Sequence, residues 1–254
     1  MADSECTIIR LTACQFISCL AGASSSNSSD VCRCNRCHVK QRVDLESIHA
    51  IAASALATIQ GQPASPPFKE QCLTSLKDQL GALSIGMAPS SYPMWCMLQY
   101  CKDQATAALE TADGNEAAAI SETCLHLTFL QVAATEAGID SGTTPLYQRG
   151  SPVKAVLVAE LGKWLLANPG TSQQESSVPN TPAADLLPEH LMSQNIPSAG
   201  SRARAQLSRE VLQQAKTVSQ WAFGKDSGGG LVGREVSSLL QEVEHWLQTN
   251  DGSS

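Results

Sequence analysis

From Leu45 onward, aliphatic residues recur at steps of three and four in one segment after another, and this periodicity constrains the fold more than any single motif. Leu45, Ile48, Ala52, Leu56 and Ile59 form the first stripe, and Gly61 and Pro63 stop it. Leu73, Leu76, Leu80 and Leu83 form the next, with Cys72 beside them, up to Gly86 and Pro89. Pro93 then opens a stripe of Met94, Trp95, Leu98, Cys101, Ala105 and Leu109. After the Asp113-Gly114-Asn115 turn come Ile120, Cys124, Leu127, Leu130 and Ala134, and Ser151-Pro152 introduces Val153, Val156, Leu157, Leu161, Trp164 and Leu165. A spacing near 3.6 places such residues on one side of a helix, whereas a half-buried strand would alternate with period two. Together with an apolar segment at 8–20, this predicts an all-α chain: an antiparallel bundle or short array of about six helices, joined by short connections.

Composition agrees with that class. Aromatic residues make up only 4% of the 254 residues while 43% are hydrophobic, which suits helices packed through aliphatic and small side chains. The formal net charge of −7 argues against sequence-independent attraction to nucleic acid or anionic membrane over the whole surface. The opening MADSEC carries acids where an export signal wants basic residues, and no apolar run in the sequence approaches the ~20 residues of a span. The expectation is an intracellular protein, cytoplasmic or nuclear, with reduced thiols and no membrane span.

The organisation expected is a helix and Cys-rich basic loop at 1–43 packed with a helical domain at 44–167, a flexible linker at 168–200, and a C-terminal helical arm at 201–249. The linker rests on composition, since five prolines and many Ser and Gln residues fall there. Within it, ADLLPEHLM groups Leu186, Leu187, Leu191 and Met192, either as a short docking element or as an apolar patch lying on the main domain. The arm has one helix over about 202–223, with Trp221 and Phe223 at its end, and a second beyond the glycines at 228–230. Val232, Val236, Leu239, Val243 and Trp246 alternate in fours and threes on that second helix, as in a short coiled-coil seam, which must be covered by the preceding helix, a partner or a second copy. These five are the expected partner-binding residues.

The densest chemistry is VCRCNRCHVKQR at 31–42. Cys32, Cys34 and Cys37 have the spacing to give three thiolates to one zinc ion, but His38 adjoins Cys37 too closely to be an easy fourth ligand and His49 lies on the next helix. An exposed thiol-rich loop without a cofactor is the favoured reading, and zinc the alternative. C-x-x-C-H also matches haem attachment, which needs an export route for which the start of the chain gives poor support. Arg33, Arg36, Lys40 and Arg42 make a basic patch that could meet nucleic acid, although no aromatic residue lies among them to stack a base. GGGLVG at 228–233 satisfies G-x-G-x-x-G but follows a helix instead of a strand, so it reads as a turn. No nucleophile elbow, zinc-protease or P-loop motif appears. The function expected is therefore a non-catalytic adaptor or complex subunit binding a partner through its C-terminal helices, with a zinc-stabilised regulatory protein contacting nucleic acid as the alternative.

Overall fold

The structure, a computed structural model, describes residues 31–33, 40–42, 50, 53–57, 59–60, 70–86, 92–136, 150–167, 183–193 and 196–250. Six α-helices dominate the described residues: α1 (Glu70–Gly86), α2 (Tyr92–Leu109), α3 (Gly114–Glu136), α4 (Pro152–Leu166), α5 (Arg202–Phe223) and α6 (Gly230–Thr249). Further helical residues at 53–57 and 59–60 carry Ala55 and Ile59 into the core of α1 to α3. The all-α class and the helical array read from the periodicity are what the chain adopts. The exception is a two-stranded antiparallel hairpin, β1 (Val31–Arg33) with β2 (Lys40–Arg42), where a loop was expected. Three residues per strand are too few for an alternation to show in the sequence. The expected helix at 8–20 lies outside the described residues, as do Cys34, Arg36, Cys37 and His38.

The helices pack mainly on their sequence neighbours, as short connections demand. Thr106 reaches Cys124 (3.9 Å) and Gln131 donates to Gln99 (2.9 Å), which sets α2 antiparallel to α3. Leu76, Leu80, Met94, Met97, Leu98, Ile120 and Leu127 are fully buried in the core shared by α1, α2 and α3. A second core joins α4, α5 and α6 through Val158, Leu212, Ala215, Val236 and Val243. Leu125 of α3, with Leu161 and Leu165 of α4, forms the seam between the two. α3 is therefore covered on both sides. It is long and apolar enough by length and composition to cross a membrane, yet 61% of that apolar stretch is buried against its neighbours.

The region expected to be a linker is corrected by residues 183–193. Ala183, Leu186, Leu187 and Leu191 are buried in the α1–α3 core, so this segment is a strap across the first three helices. Its polar atoms are matched as well: the Thr123 hydroxyl donates to the Ala184 carbonyl (2.6 Å), Lys77 pairs with Asp185 (2.6 Å), and the Ser193 amide donates to His126 Nδ1 (3.1 Å). Composition over 168–200 misled because the region as a whole is polar, while the three leucines of its most apolar stretch, read in the sequence as a docking element or a patch on the main domain, carry the packing, each worth about 1.5–3 kcal/mol when buried. Residues 168–182 lie outside the description.

Candidate docking surface

The C-terminal helices are an integral layer of the fold. Ser201 caps α5 by accepting the Arg204 amide (3.2 Å), while the buried Arg204 side chain donates to the Leu165 and Trp164 carbonyls at the end of α4 (3.1 and 3.4 Å) and pairs with Glu122 of α3 (2.6 Å). Midway along, Gly162 lets Leu212 close in, since a Cβ there would stand 2.5 Å from the leucine methyl carbon, and the Ser208 hydroxyl donates to the Gly162 carbonyl (2.9 Å). At the other end, a Cβ on Gly150 would lie 3.6 Å from the Trp221 carbonyl oxygen. These three levels make α4 and α5 antiparallel. Gly228, Gly229 and Gly230 turn the chain into α6 with φ of 64°, 87° and 66°, a left-handed region that side-chain-bearing residues avoid. Gly229 also needs its bareness for space, because a Cβ would stand 2.5 Å from Ser219 Oγ.

This packing places the expected partner-binding residues. Val236 and Val243 are fully buried beneath α4 and α5, and Val232, Leu239 and Trp246 are half-buried at the margin of the same core. Much of the seam is thus covered from within the chain, by α4 and α5. Trp246 retains one open edge, in a shallow cleft with Leu165, Leu166, Arg204 and Glu242.

The exposed large apolar side chains lie elsewhere. Six stand out among the described residues, and five of them belong to the end where α4 begins, α5 finishes and α6 starts: Val153 (43% exposed), Val156 (40%), Trp221 (53%), Phe223 (38%) and Leu231 (77%). Val153 and Val156 were expected on the buried stripe of α4. Its buried side instead runs through Ala155, Leu157, Val158, Leu161 and Leu165, which leaves the two valines outward. Trp221 and Phe223 had been noted only as the end of a helix. Their exposure became readable once the buried side of α5 was known.

Titratable and nucleophilic side chains read as structural. The buried Lys102 of α2 pairs with Glu160 of α4 (2.6 Å). Burial pushes the Cys124 thiol up to about 11, so at neutral pH it is an inert small hydrophobe. His126 is held below its ordinary value, chiefly by desolvation and in part by Arg204, against an opposing pull from Glu122. Ser84 lies 2.7 Å from His190 Nε2, a spacing that invites comparison with a nucleophile and its base. The Gly81 carbonyl lies about as close to the same hydroxyl (2.6 Å) and competes with the imidazole for its proton, as helical serines commonly bond back to their own turn.

Of the Cys-rich basic stretch, only backbone is described. The register sets Cys32 opposite Gln41, Arg33 opposite Lys40 and Val31 opposite Arg42. Among the described residues no group of three His, Cys, Asp or Glu side chains is arranged to hold a metal. Comparison with family models, with curated proteins and with solved structures finds no match to this chain.

Proposed function

We propose that the chain is a non-catalytic helical adaptor that works by docking through the exposed end of its C-terminal helices. The observation that supports this is the grouping of five of the six exposed large apolar residues at one end of α4, α5 and α6. Single exposed hydrophobes are ordinary, whereas a group of them marks a contact surface. The contact residues are then Trp221, Phe223 and Leu231, with the seam of α6 serving as the core that holds them in place. A photo-crosslinking amino acid at Leu231 should yield adducts in cells, read by mass spectrometry as protein or lipid, while the same group at the exposed Gln248, at the opposite end of α6, should not. Equal labelling from both positions, or none from 231, would sink this reading.

A second reading, regulation through the basic Cys-rich hairpin, is favoured by one observation. The register puts Arg33 directly across from Lys40, and like charges so placed repel unless an anion lies near them. A zinc ion held by Cys32, Cys34 and Cys37 would stabilise such a turn. The purified protein would then carry one zinc per chain, lost together with melting temperature in Cys34→Ser/Cys37→Ser. No zinc and an unchanged melting temperature return the stretch to a thiol-rich hairpin.

A further inference from the structure

We infer that the apolar end of the α5–α6 hairpin docks on an anionic lipid surface. This inference rests on the docking reading above and names the class of surface. Its first support is geometric. Trp221 lies nine residues beyond the buried Leu212, and Leu231 nine residues before the buried Leu240; nine residues are about two and a half helical turns, so each projects from the side of its helix opposite that leucine. Leu212 and Leu240 share one core, so Trp221 and Leu231 both face away from it. Phe223 sits between them at the turn, where a Cβ on Gly230 would lie 3.4 Å from the Phe223 Cβ. Apolar side chains that leave both helices on the side away from the core suit insertion of the tip into the boundary of a bilayer, where Trp, Phe and Leu partition.

The second support is charge. On a chain of net charge −7, the stretch from Lys216 to Arg234 carries Lys216, Lys225 and Arg234 against the single acid Asp226. All three basic residues are exposed, and none enters the ion pairs seen among the described residues, which engage Lys77, Lys102, Lys163 and Arg204. The next acid, Glu235, is paired with Lys163 of α4 (3.0 Å). A locally basic, aromatic tip on an acidic protein is steered tip-first toward anionic headgroups while its remaining surface is repelled.

The test is sedimentation of the full chain with vesicles of phosphatidylcholine, with and without phosphatidylserine. Binding should require phosphatidylserine and weaken in high salt. The Trp221→Asp/Leu231→Asp and Lys225→Glu/Arg234→Glu variants should each lower partition at least about tenfold, with Gln248→Asp unaffected and circular dichroism unchanged in all. No binding, equal binding to neutral vesicles, or binding indifferent to both double variants overturns the lipid proposal. If vesicles fail but the group at Leu231 crosslinks protein, the lipid inference falls while docking stands; if both fail, the docking reading falls too.

Discussion

Among single residues, His126 links the strap to the interior most directly. Its Nδ1 accepts the Ser193 amide, so the ring must be neutral there, with its proton on Nε2. Desolvation and Arg204 lower its folded-state value below that of the unfolded chain, and Glu122 opposes them without reversing the direction. The unfolded state therefore takes up the proton first. The stability this histidine contributes is present above its ordinary value of about 6.5 and lost as pH falls below it, levelling off under the folded value. Melting temperature followed from pH 7 toward 5 should fall in the parent, and fall less in His126→Asn, whose side-chain oxygen can accept the same amide. Equal slopes would remove His126 as the cause. The sequence alone does not disclose this, since there His126 only adjoins the stripe of Cys124, Leu127 and Leu130. Glu122 lies one turn away, but Ser193 and Arg204 come from 67 and 78 positions away, and no local spacing encodes such contacts.

At the level of elements, the helices themselves were plain in the sequence because each buries one side, and a 3.6-residue period records that directly. The choice of side was less plain. On α4 the outward Val153 and Val156 fit the same period as the buried Leu157, Leu161 and Leu165, and only the position of α5 decides between them. That position is fixed by small residues. Gly162 and Ser208 allow α4 and α5 to approach until Leu212 fills the gap. Gly162→Val should thus overpack the crossing and destabilise by about 1–3 kcal/mol, and Leu212→Ala alone should leave a cavity costing about 2–5 kcal/mol. The double variant should cost clearly less than the two losses together, since the valine occupies space vacated by the leucine, a coupling that chemical denaturation in a double-mutant cycle would measure. Strict additivity would mean that the crossing does not depend on this fit. In a sequence, a lone glycine within a helical stripe does not announce such a crossing, since the same residue also marks helix ends.

Among the described residues, the parts expected to form a connector and a free arm, 183–193 and the two C-terminal helices, are packed on the helices before them. The strap completes the core of α1 to α3, Arg204 of α5 closes the end of α4, and Glu122 ties both to α3. Average composition over 168–200 hid this arrangement, although ADLLPEHLM stands out within it as an apolar group whose resting place only the assembled helices decide. The candidate surface was hidden for a related reason, because Trp221 and Leu231 are exposed only once α4 to α6 are assembled. The strap has a further consequence for how the polypeptide can be divided. The first four helices lack part of their own interior until residues 183–204 arrive from the far side of the sequence, so a product ending near Ala167 would present an unfilled leucine-lined trough. The severed C-terminal piece carries the wedge that fits it. Two such pieces, separately expressed and mixed, should therefore associate and regain the parent shape without a peptide bond between them, with co-elution and a restored melting transition as the readout.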